Sequence, residues 1–388
     1  MNFDGFDLVV IGSGFFGTTI AERAARELGL TVAVIDKRTH FGGNSYSEIN
    51  QETGIEVHPY GTHIFHTNSE EVWTYINKFT EFTDYRHRVF TVHGERVFSM
   101  PINLHTISSF FGRHFTPDEA RALVAREMAA DSIGEPANLE EKAIKSIGRP
   151  LYEAFIRGYT MKQWQTDPKQ LPASIIGRLP VRFTFDDRYF FDRYEGMPRD
   201  GYGAIFRNML SNPKISLMLG VDFFDIRHLI PSKTLVIYTG AIDRYYDYQF
   251  GELGWRTVDL EWEVANTPDF QGTSVMNYAD ADIPFTRIHE FRHLHPERPF
   301  DGQKTIIARE FSRFAKAGDE PYYPIATPQD RDLYERYVAL TAQEPNVIFG
   351  GRLGTYRYLD MHQAIGAALK CFDTQVAPRF TTGKPLSI

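Results

Sequence analysis

Residues 7–17, DLVVIGSGFFG, decide the fold, because they join a short apolar run to a turn built around three glycines. The run is uniformly apolar, as expected for a strand buried on both faces of a parallel sheet. Thr18–Leu28 then has the composition of an amphipathic helix, and Gly29 stands where such a helix would end. Thr31–Ile35 is a second apolar run. The stretch therefore predicts a β-α-β unit with parallel strands.

A steric requirement explains each glycine in the spacing Gly12-x-Gly14-x-x-Gly17. The first allows a tight turn, the second lets a pyrophosphate approach the backbone, and the third lets the helix pack on the strand. The helix start then presents free N–H groups to the phosphates. Asp36 ends the second strand about 20 residues further on, where a carboxylate accepts a ribose hydroxyl. The pattern predicts a dinucleotide site; the alternative is a structural turn in a Rossmann-like domain that binds no ligand.

Two further glycine pairs bear on which dinucleotide binds. Gly42-Gly43-Asn44 follows the basic residue Lys37 shortly after the second strand, and Gly350-Gly351-Arg352 precedes the last predicted helix. Each pair permits another close approach of the backbone to a ligand. Either alone could be an ordinary turn, but together they favour FAD over NAD.

The rest of the chain predicts an α/β protein in which the nucleotide-binding domain is discontinuous. Thr234–Gly240 is another apolar run ending in glycine, and Val347–Phe349 ends a further predicted strand at the glycine pair. Thr116 and Asn138 have the positions of helix N-caps. Val181–Tyr194 and Trp255–Phe314 are rich in β-branched and aromatic residues typical of antiparallel strands. The expected parts are an FAD-binding Rossmann-like domain (1–80, 195–242 and 330–388), a helical substrate domain (100–175) with a mobile lid loop at about 165–180, and an antiparallel β-sheet domain (81–99, 176–194 and 243–329).

Composition and net charge limit the cellular compartments and the classes of binding partner that we expect for this protein. The net charge of −8 disfavours a general nucleic-acid or anionic-membrane surface. Cys371 is the only cysteine, so neither an intramolecular disulfide nor a cysteine-based metal site can form. The first residues lack a basic leader, and their apolar run is too short to span a membrane. We expect a cytoplasmic protein without membrane insertion.

The run from His289 to His295 contains three histidines and a glutamate, which raises the question of a metal site. On a strand, the histidines would share one face, while Glu290 and Arg292 would take the other. The arginine would oppose a cation. We therefore expect a solvated sheet surface there and predict no metal site.

Nine short motifs are distributed along nearly the whole chain: GSGFFG (12–17), GGNSY (42–46), HPYGTHIFH (58–66), GYTMKQW (158–164), RLPVRFTFD (178–186), YTG (238–240), FTRI (285–288), DEPYYP (319–324) and GGRLGTYRYLDMH (350–362). In this order they resemble the motifs of bacterial UDP-galactopyranose mutases, and His87 resembles the actinobacterial branch more closely. Four positions depart from common family residues or vary within the family: Asp36, Thr62, His87 and Phe285.

The resemblance implies an isomerase that interconverts UDP-galactopyranose and UDP-galactofuranose and requires reduced FAD, although no net redox change occurs. In the implied mechanism, flavin N5 attacks the anomeric carbon, and a covalent flavin–sugar intermediate opens and recloses as the furanose. The product would supply cell-surface glycans. NAD(P)H or another reductant would act transiently, and the enzyme would be a homodimer.

The resemblance also carries over site residues. Arg178 and Arg287 would bind the diphosphate, for which a guanidinium fork is suited, and His63 would lie by the flavin, giving Arg178, Arg287 and His63 as catalytic residues. Phe155 and Tyr159, four residues apart, would share a helix face toward the uracil. The implied substrate residues are Phe155, Tyr159, Thr160, Trp164, Arg178, Tyr189, Asn277, Arg287, Tyr323, Tyr358 and Asp360. The implied FAD residues are Gly12, Ser13, Gly14, Phe15, Phe16, Gly17, Asp36, Lys37, Gly43, Asn44, His63, Gly240, Arg352, Leu359 and Asp360.

Two rival functions stay open at this point. An FAD-dependent amine oxidase would share the glycine turn, but its amine substrate would be repelled by Arg178 and Arg287. A nucleotide-sugar binder without catalysis would have no need for the flavin motifs. Asp360 also fits two roles, as a substrate or cofactor contact and as the N-cap of the last helix.

Overall fold

The β-α-β unit predicted from residues 7–36 is present in the computed structural model, which describes residues 2–173, 175–176, 179–300 and 302–383. Arg178 lies outside these ranges. The strands are β1 (Leu8–Ile11), β2 (Val32–Asp36), β3 (Glu48–Ile49), β4 (Glu56–Val57), β5 (Phe65–Thr67), β6 (Val89–His93), β7 (Arg96–Met100), β8 (Tyr194–Gly196), β9 (Ile215–Leu219), β10 (Leu235–Tyr238), β11 (Trp255–Ala265), β12 (Val275–Tyr278), β13 (Arg287–Glu290), β14 (Thr305–Phe314), β15 (Tyr323–Pro324) and β16 (Val347–Phe349).

Two of the α-helical stretches continue through a π-turn, at Glu153–Arg157 and at Phe372–Val376. The helices are α1 (Phe15–Glu27), α2 (Glu70–Ile76), α3 (Leu104–Phe110), α4 (Pro117–Ala130), α5 (Leu139–Ile147), α6 (Arg149–Tyr152), α7 (Gly158–Trp164), α8 (Gly201–Met209), α9 (Phe223–Ile226), α10 (Ile242–Tyr245), α11 (Pro328–Thr341), α12 (Gly351–Gly354), α13 (Met361–Cys371) and α14 (Ala377–Thr382). Among the helices described, none combines the length and the apolar character needed to cross a membrane.

A five-stranded parallel sheet of order β16-β10-β1-β2-β9 forms the nucleotide-binding half. The sequence predicted four of its strands; β9 was missed because its residues are partly exposed at the sheet edge and show no buried apolar run. Apolar residues of α1 and α13 pack on one face, and those of α9 and α10 pack on the other. The strands of this sheet thus come from three separate parts of the chain.

A seven-stranded sheet of order β15-β11-β14-β13-β12-β6-β7 lies in the second half. Its neighbours pair antiparallel except β12 and β6, which are parallel, so the prediction of a wholly antiparallel sheet is wrong in this one pair. The connection from β7 to β12 contains the helices α3 to α10. A connection of this length permits the parallel pairing, since parallel strands need a long crossover.

The helical part runs from α3 to α7 around its own apolar core. The predicted caps are confirmed: the side chains of Thr116 and Asn138 accept N–H bonds at the starts of α4 and α5. The strand prediction for Val181–Tyr194 is wrong. Only Tyr194 enters a strand, β8, which pairs with β5 in a separate two-stranded sheet. The Arg182 guanidinium satisfies main-chain carbonyls of this segment, which replaces the bonds of a ladder.

Candidate functional site

A cavity of about 1340 Å³ lies between the carboxyl ends of the parallel strands and the seven-stranded sheet. Pockets for a single small ligand usually measure about 300–1,000 Å³, so this one has room for a dinucleotide and a second ligand. The predicted residues that line it are Gly12, Gly14, Phe15, Phe16, Gly17, Asp36, Lys37, Gly43, Asn44, His63, Tyr159, Tyr189, Gly240, Asn277, Arg287, Tyr323, Arg352, Tyr358, Leu359 and Asp360.

The glycine turn delivers the start of α1 to the cavity wall. Gly12 has φ of +99°, and a Cβ at Gly17 would lie 2.2 Å from the carbonyl oxygen of Gly12. Neither site therefore tolerates a side chain without movement of the backbone. Gly14 is the N-cap of α1 and has no side chain to cap the helix, so the first N–H groups remain free for an anion.

Asp36 ends β2 beside the turn, as predicted. Its Oδ2 accepts hydrogen bonds from the main-chain N–H of Ser13 at 2.8 Å and from the Ser13 hydroxyl at 2.6 Å, and its Oδ1 accepts the N–H of Arg38 at 3.0 Å. Ser13 is fully buried and is not itself among the residues that line the cavity. Its function in this structure is to hold the Asp36 carboxylate at the strand end.

Lys37 and Asn44 lie on the wall next to Asp36, joined by two residues that the sequence did not single out. Glu320 pairs with Lys37 at 3.0 Å and with Arg38 at 2.8 Å, and Arg38 also donates to the Asn44 side chain at 2.8 Å. Burial alone would lower the pKa of Arg38, but the Glu320 carboxylate raises it overall. This network fixes the loop after β2 in place.

The second glycine pair packs directly on α1. A Cβ at Gly350 would lie 2.1 Å from the ring of Phe16, and Gly351 has φ of +70° at the start of α12. The Arg352 side chain donates to the Leu359 carbonyl at 2.7 Å. The pair therefore brings the segment from Arg352 to Asp360 against the first helix, on the cavity wall.

His63 lies in the loop between β4 and β5. Its Nδ1 is 2.6 Å from the carbonyl oxygen of Gly61, so Nδ1 carries the proton and Nε2 is left as an acceptor. Burial, together with the positive charge of Arg352, lowers the pKa of His63 to about 4. The ring is therefore neutral at physiological pH.

Arg287 projects from β13 into the cavity and is held on two sides. Its Nε lies 3.2 Å from Oε1 of Glu310, and its Nη2 donates to the hydroxyl of Tyr159. Burial alone would lower the pKa of Arg287, but the Glu310 charge raises it further above its ordinary value. Conversely, burial opposes ionisation of Glu310, yet Arg287 brings its pKa down to about 2. Both groups are charged throughout the physiological range.

The helix face predicted for Phe155 and Tyr159 is interrupted by the π-turn at Glu153–Arg157. A π-turn inserts one extra residue, so positions four apart no longer share a face. Phe155 packs against Phe98, with ring centroids 5.0 Å apart, in the core of the helical part. The shared-face prediction is therefore wrong: Tyr159 reaches the cavity and Phe155 does not.

Thr160 and Trp164 also lie off the cavity wall, and Thr160 is buried. Trp164 ends α7, where the buried guanidinium of Arg256 donates to the carbonyl oxygens of Gln163 (2.6 Å) and Trp164 (3.4 Å). Burial lowers the pKa of Arg256 to about 10. The next residue, Gln165, has φ of +49°, so the chain turns sharply at the predicted beginning of the lid.

Three predicted tyrosines surround the mouth of the cavity. Tyr323 and Tyr358 stack with centroids 5.5 Å apart, and Arg352 lies 5.0 Å from the Tyr358 ring. Tyr189 and Tyr358 are 44% and 51% exposed, so both side chains are accessible to a ligand. Burial raises the pKa of Tyr358 above its ordinary value, which keeps it a neutral donor.

One amide group, of Asn277, and one carboxyl group, of Asp360, complete the cavity wall. Asn277 on β12 has a buried Oδ1 without a hydrogen-bond partner among the described residues. Asp360 is the N-cap of α13, as predicted, and its N–H is bonded by Gln363 at 2.9 Å. Since a buried unpaired oxygen is costly, Asn277 marks a point at which a donor on a ligand would be stabilised.

The histidine run is not a solvated strand face. Only His289 belongs to β13, and Phe291–Leu294 forms a 3-10 turn, so the histidines point in different directions. His289 and His295 are buried rather than solvated. Within the described ranges, two groups bring potential metal-binding atoms within 4.8 Å of one another: His66, Asp360 and His362; and Asp269, Glu290 and His293.

Comparisons with known proteins decide the family. A model of the UDP-galactopyranose mutase family matches residues 154–358, and a model of NAD(P)-binding Rossmann-like domains matches residues 10–79. A probable UDP-galactopyranose mutase of Klebsiella pneumoniae is 45% identical over 372 residues, covering 95% of this chain and 94% of the relative. The chain belongs to the UDP-galactopyranose mutase family. It is therefore placed among the isomerases.

Other members and neighbours extend the comparison. A dTDP-fucopyranose mutase of Escherichia coli is 43% identical over 368 residues, covering 94% of this chain and 97% of the relative. A crystal structure of a reduced UDP-galactopyranose mutase matches with a TM-score of 0.72 at 15% identity, over 99% of this chain and 98% of that chain. This last likeness confirms the fold.

For this member of the UDP-galactopyranose mutase family, sequence reasoning missed several residues that line the cavity. Arg38, Glu310 and His289 are charged or polar residues in otherwise ordinary positions. One signal was available for Glu310, which is a carboxylate on the same strand face as the apolar residues Ile306 and Ala308 and requires a cation as partner when buried. The partner, Arg287, is supplied only by the pairing of β13 with β14.

Proposed function

We propose that this protein is a UDP-galactopyranose mutase that interconverts UDP-galactopyranose and UDP-galactofuranose with the help of reduced FAD. The single observation that carries the proposal is one continuous cavity. It connects the free start of α1 with Arg287, Tyr159 and Asn277. A site that binds only a dinucleotide would have no need for this second polar end.

FAD fits the dinucleotide end of the cavity. The helix start at Gly14 offers uncapped N–H groups for a pyrophosphate, and Asp36 retains a free lone pair on Oδ1 for a ribose hydroxyl. Gly43 lies opposite Gly14, and a Cβ added at Gly43 would be 3.3 Å from the Cα of Gly14. The residues Gly12–Gly17, Asp36, Lys37, Gly43, Asn44, Gly240 and Arg352–Asp360 would hold the cofactor.

Reduced FAD, when bound, would supply N5 as the nucleophile that holds the anomeric carbon covalently while the sugar ring opens and recloses. The side chains of this chain have other tasks. Arg287, and with it Arg178, would bind the diphosphate and stabilise its charge as the bond to the sugar breaks. Tyr189, Tyr323 and Tyr358 would donate to phosphate oxygens, and Tyr159 would lie by the uracil. His63, neutral and with Nε2 as an acceptor, would lie by the flavin.

An amine oxidase is disfavoured. Arg287 extends a guanidinium into the second end of the cavity, where an amine oxidase would need an uncharged or anionic wall. The relative that is 45% identical over 95% of the chain also carries the mutase name. A second substrate is favoured by a specific observation, because the dTDP-fucopyranose mutase is nearly as similar, at 43%. We therefore include dTDP-fucofuranose in the test.

The experiment is turnover measured by HPLC with dithionite-reduced and with air-oxidised protein. We expect reduced protein to convert UDP-galactofuranose into UDP-galactopyranose, and oxidised protein to be nearly inactive. Arg287→Ala should abolish turnover while the flavin absorbance is retained. Equal rates in both flavin states, or oxygen consumed in step with substrate, would contradict the proposal. Faster turnover of dTDP-fucofuranose would replace the substrate assignment and keep the reaction class.

The wider setting is part of the same proposal. A cytoplasmic enzyme would receive electrons from NAD(P)H or another reductant, act as a homodimer, and supply galactofuranose for cell-surface glycans. The formal charge of −8 supports the absence of a nucleic-acid partner. Sedimentation velocity and reduction of the bound flavin by NADPH would test the assembly and the reductant separately.

A further inference from the structure

His289 occupies a position that the proposed function does not explain. It is 1% exposed, on β13, and lies between a loop and a strand of the cavity wall. Its Nδ1 is 2.7 Å from the hydroxyl of Thr62, and its Nε2 is 3.0 Å from Oε2 of Glu310. The ring therefore connects the loop before β5 to the carboxylate on β14.

The partners fix which nitrogen carries the proton. A carboxylate only accepts hydrogen bonds, so Nε2 of His289 must donate to Glu310. With Nε2 donating, Nδ1 is the ring nitrogen left to accept, and the hydroxyl of Thr62 donates to it. Glu310 thus sets the tautomer of His289, and Thr62 fixes the orientation of the ring from its other side.

Glu310 connects His289 to Arg287. Its Oε1 lies 3.2 Å from Nε of Arg287 and accepts the hydroxyl of Thr286 at 3.1 Å, while Oε2 is occupied by His289. Both carboxylate oxygens are therefore held, and the carboxylate has one orientation. Arg287 forms an ion pair with this carboxylate and donates through Nη2 to the hydroxyl of Tyr159, so it is held in turn with its remaining donors available to the cavity.

We propose that Thr62 and His289 are positioning residues, which act through Glu310 to orient the Arg287 guanidinium toward the diphosphate of the substrate. The assignment rests on the proposed function, since it presumes a nucleoside diphosphate at Arg287. It gives a task to Thr62, one of the positions at which this chain departs from its family. The energetic reason is preorganisation, because a guanidinium already oriented loses less freedom when it binds phosphate.

The test compares Thr62→Val with Thr62→Ser in the FAD-containing protein, using UDP as the probe. Thr62→Val keeps the volume and removes the hydroxyl, whereas Thr62→Ser keeps the donor. Thr305→Val is the matched control, because the Thr305 hydroxyl is buried on the same strand as Glu310 and has no partner among the described residues. Calorimetry gives the Kd for UDP, and turnover of UDP-galactofuranose gives kcat and KM.

We expect Thr62→Val to raise the Kd for UDP and the KM about threefold to tenfold, as for the loss of one hydrogen bond, with kcat within about twofold of the original value. Thr62→Ser should restore both constants, and Thr305→Val should leave them unchanged. His289→Leu, which also removes the donor to Glu310, should have a larger effect than Thr62→Val at unchanged flavin content.

Different results overturn different statements. A Kd for UDP in Thr62→Val equal to that of the active, unmodified enzyme would overturn the positioning assignment alone. An equal loss in Thr305→Val, or no recovery in Thr62→Ser, would do the same, since it would show a general effect of altered packing. Failure of the unmodified holoenzyme to bind UDP would overturn the proposed function and, with it, this assignment.

Discussion

The replacement of Gly12 by alanine tests whether the turn at β1 is as tightly built as the structure shows. Gly12 has φ of +99°, where an L residue costs about 1–2 kcal/mol. A new Cβ would also lie 2.0 Å from the hydroxyl oxygen of Thr239. That hydroxyl donates to the Ile11 carbonyl at 2.7 Å, so it must rotate away and lose a bond of about 1 kcal/mol. We expect Gly12→Ala to lower the free energy of unfolding by about 2–3 kcal/mol.

A double-mutant cycle separates the two costs. Thr239→Ala alone loses only the hydroxyl bond, about 1 kcal/mol, because the Ile11 carbonyl still accepts the N–H of residue 239 at 3.0 Å. In Gly12→Ala/Thr239→Ala the hydroxyl is already absent and that bond is lost once, not twice. The double variant should therefore be no less stable than Gly12→Ala, which is a coupling of about 1 kcal/mol.

The assay is urea unfolding followed by circular dichroism at a fixed FAD concentration, because bound cofactor adds to the measured stability. Gly220→Ala serves as the control: φ there is +69°, and a Cβ would meet nothing within 4 Å. Gly220→Ala should lower the free energy of unfolding by about 1 kcal/mol, the cost of an L residue at positive φ alone. Strict additivity in the cycle, or equal losses for Gly12→Ala and Gly220→Ala, would refute the close contact between Gly12 and Thr239.

Three further predictions concern the cofactor end, the helical part and acid stability. Asp36→Asn should weaken FAD binding at least about tenfold in a fluorescence titration, since the two Ser13 donors would hold the amide oxygen and the nitrogen at the other position cannot accept from a ribose hydroxyl; unchanged affinity would contradict the ribose contact. Lys162→Met should lower the unfolding free energy by about 2–3 kcal/mol, because the Lys162 ammonium donates to three main-chain carbonyls at 2.7, 2.7 and 3.0 Å; a loss below about 0.5 kcal/mol would show that water replaces it. Burial lowers the pKa of His58 to about 3, of His63 to about 4 and of His87 to about 3. The unfolded chain takes up these protons near pH 6.5 while the folded chain does not, so the unfolding free energy should fall as the pH falls from about 6.5 to 4, by up to about 1.4 kcal/mol per pH unit and histidine. A flat profile in acid unfolding over that range would contradict the neutral, buried rings.

The parts of the fold that the sequence predicts well are those with a local cause. The strands β1, β2 and β10 are short, fully buried runs, and β16 ends at a glycine pair. The caps at Thr116 and Asn138 act within four residues of themselves. The errors arise where a distant partner decides. Val181–Tyr194 has strand-like composition, yet its carbonyls are bonded by Arg182, and β12 pairs parallel with β6 only because a long insertion returns the chain to that edge.

The candidate site shows the same division. Gly12, Gly14, Gly17 and Asp36 reach their predicted places because one β-α-β unit positions all four. Phe155 does not, because a single π-turn changes the face of its helix, and no periodicity in the sequence announces that turn.

The feature that relates most closely to the chemistry, the pairing of Arg287 with Glu310, depends on strands whose register joins residues 23 apart in the chain. A guanidinium that is both charged and held on a carboxylate is only partly available to a substrate, since part of its charge is already balanced. Diphosphate binding at this site must therefore draw on orientation as much as on net charge. The hydrogen bonds behind Glu310 are consequently expected to matter to affinity although they never touch the ligand.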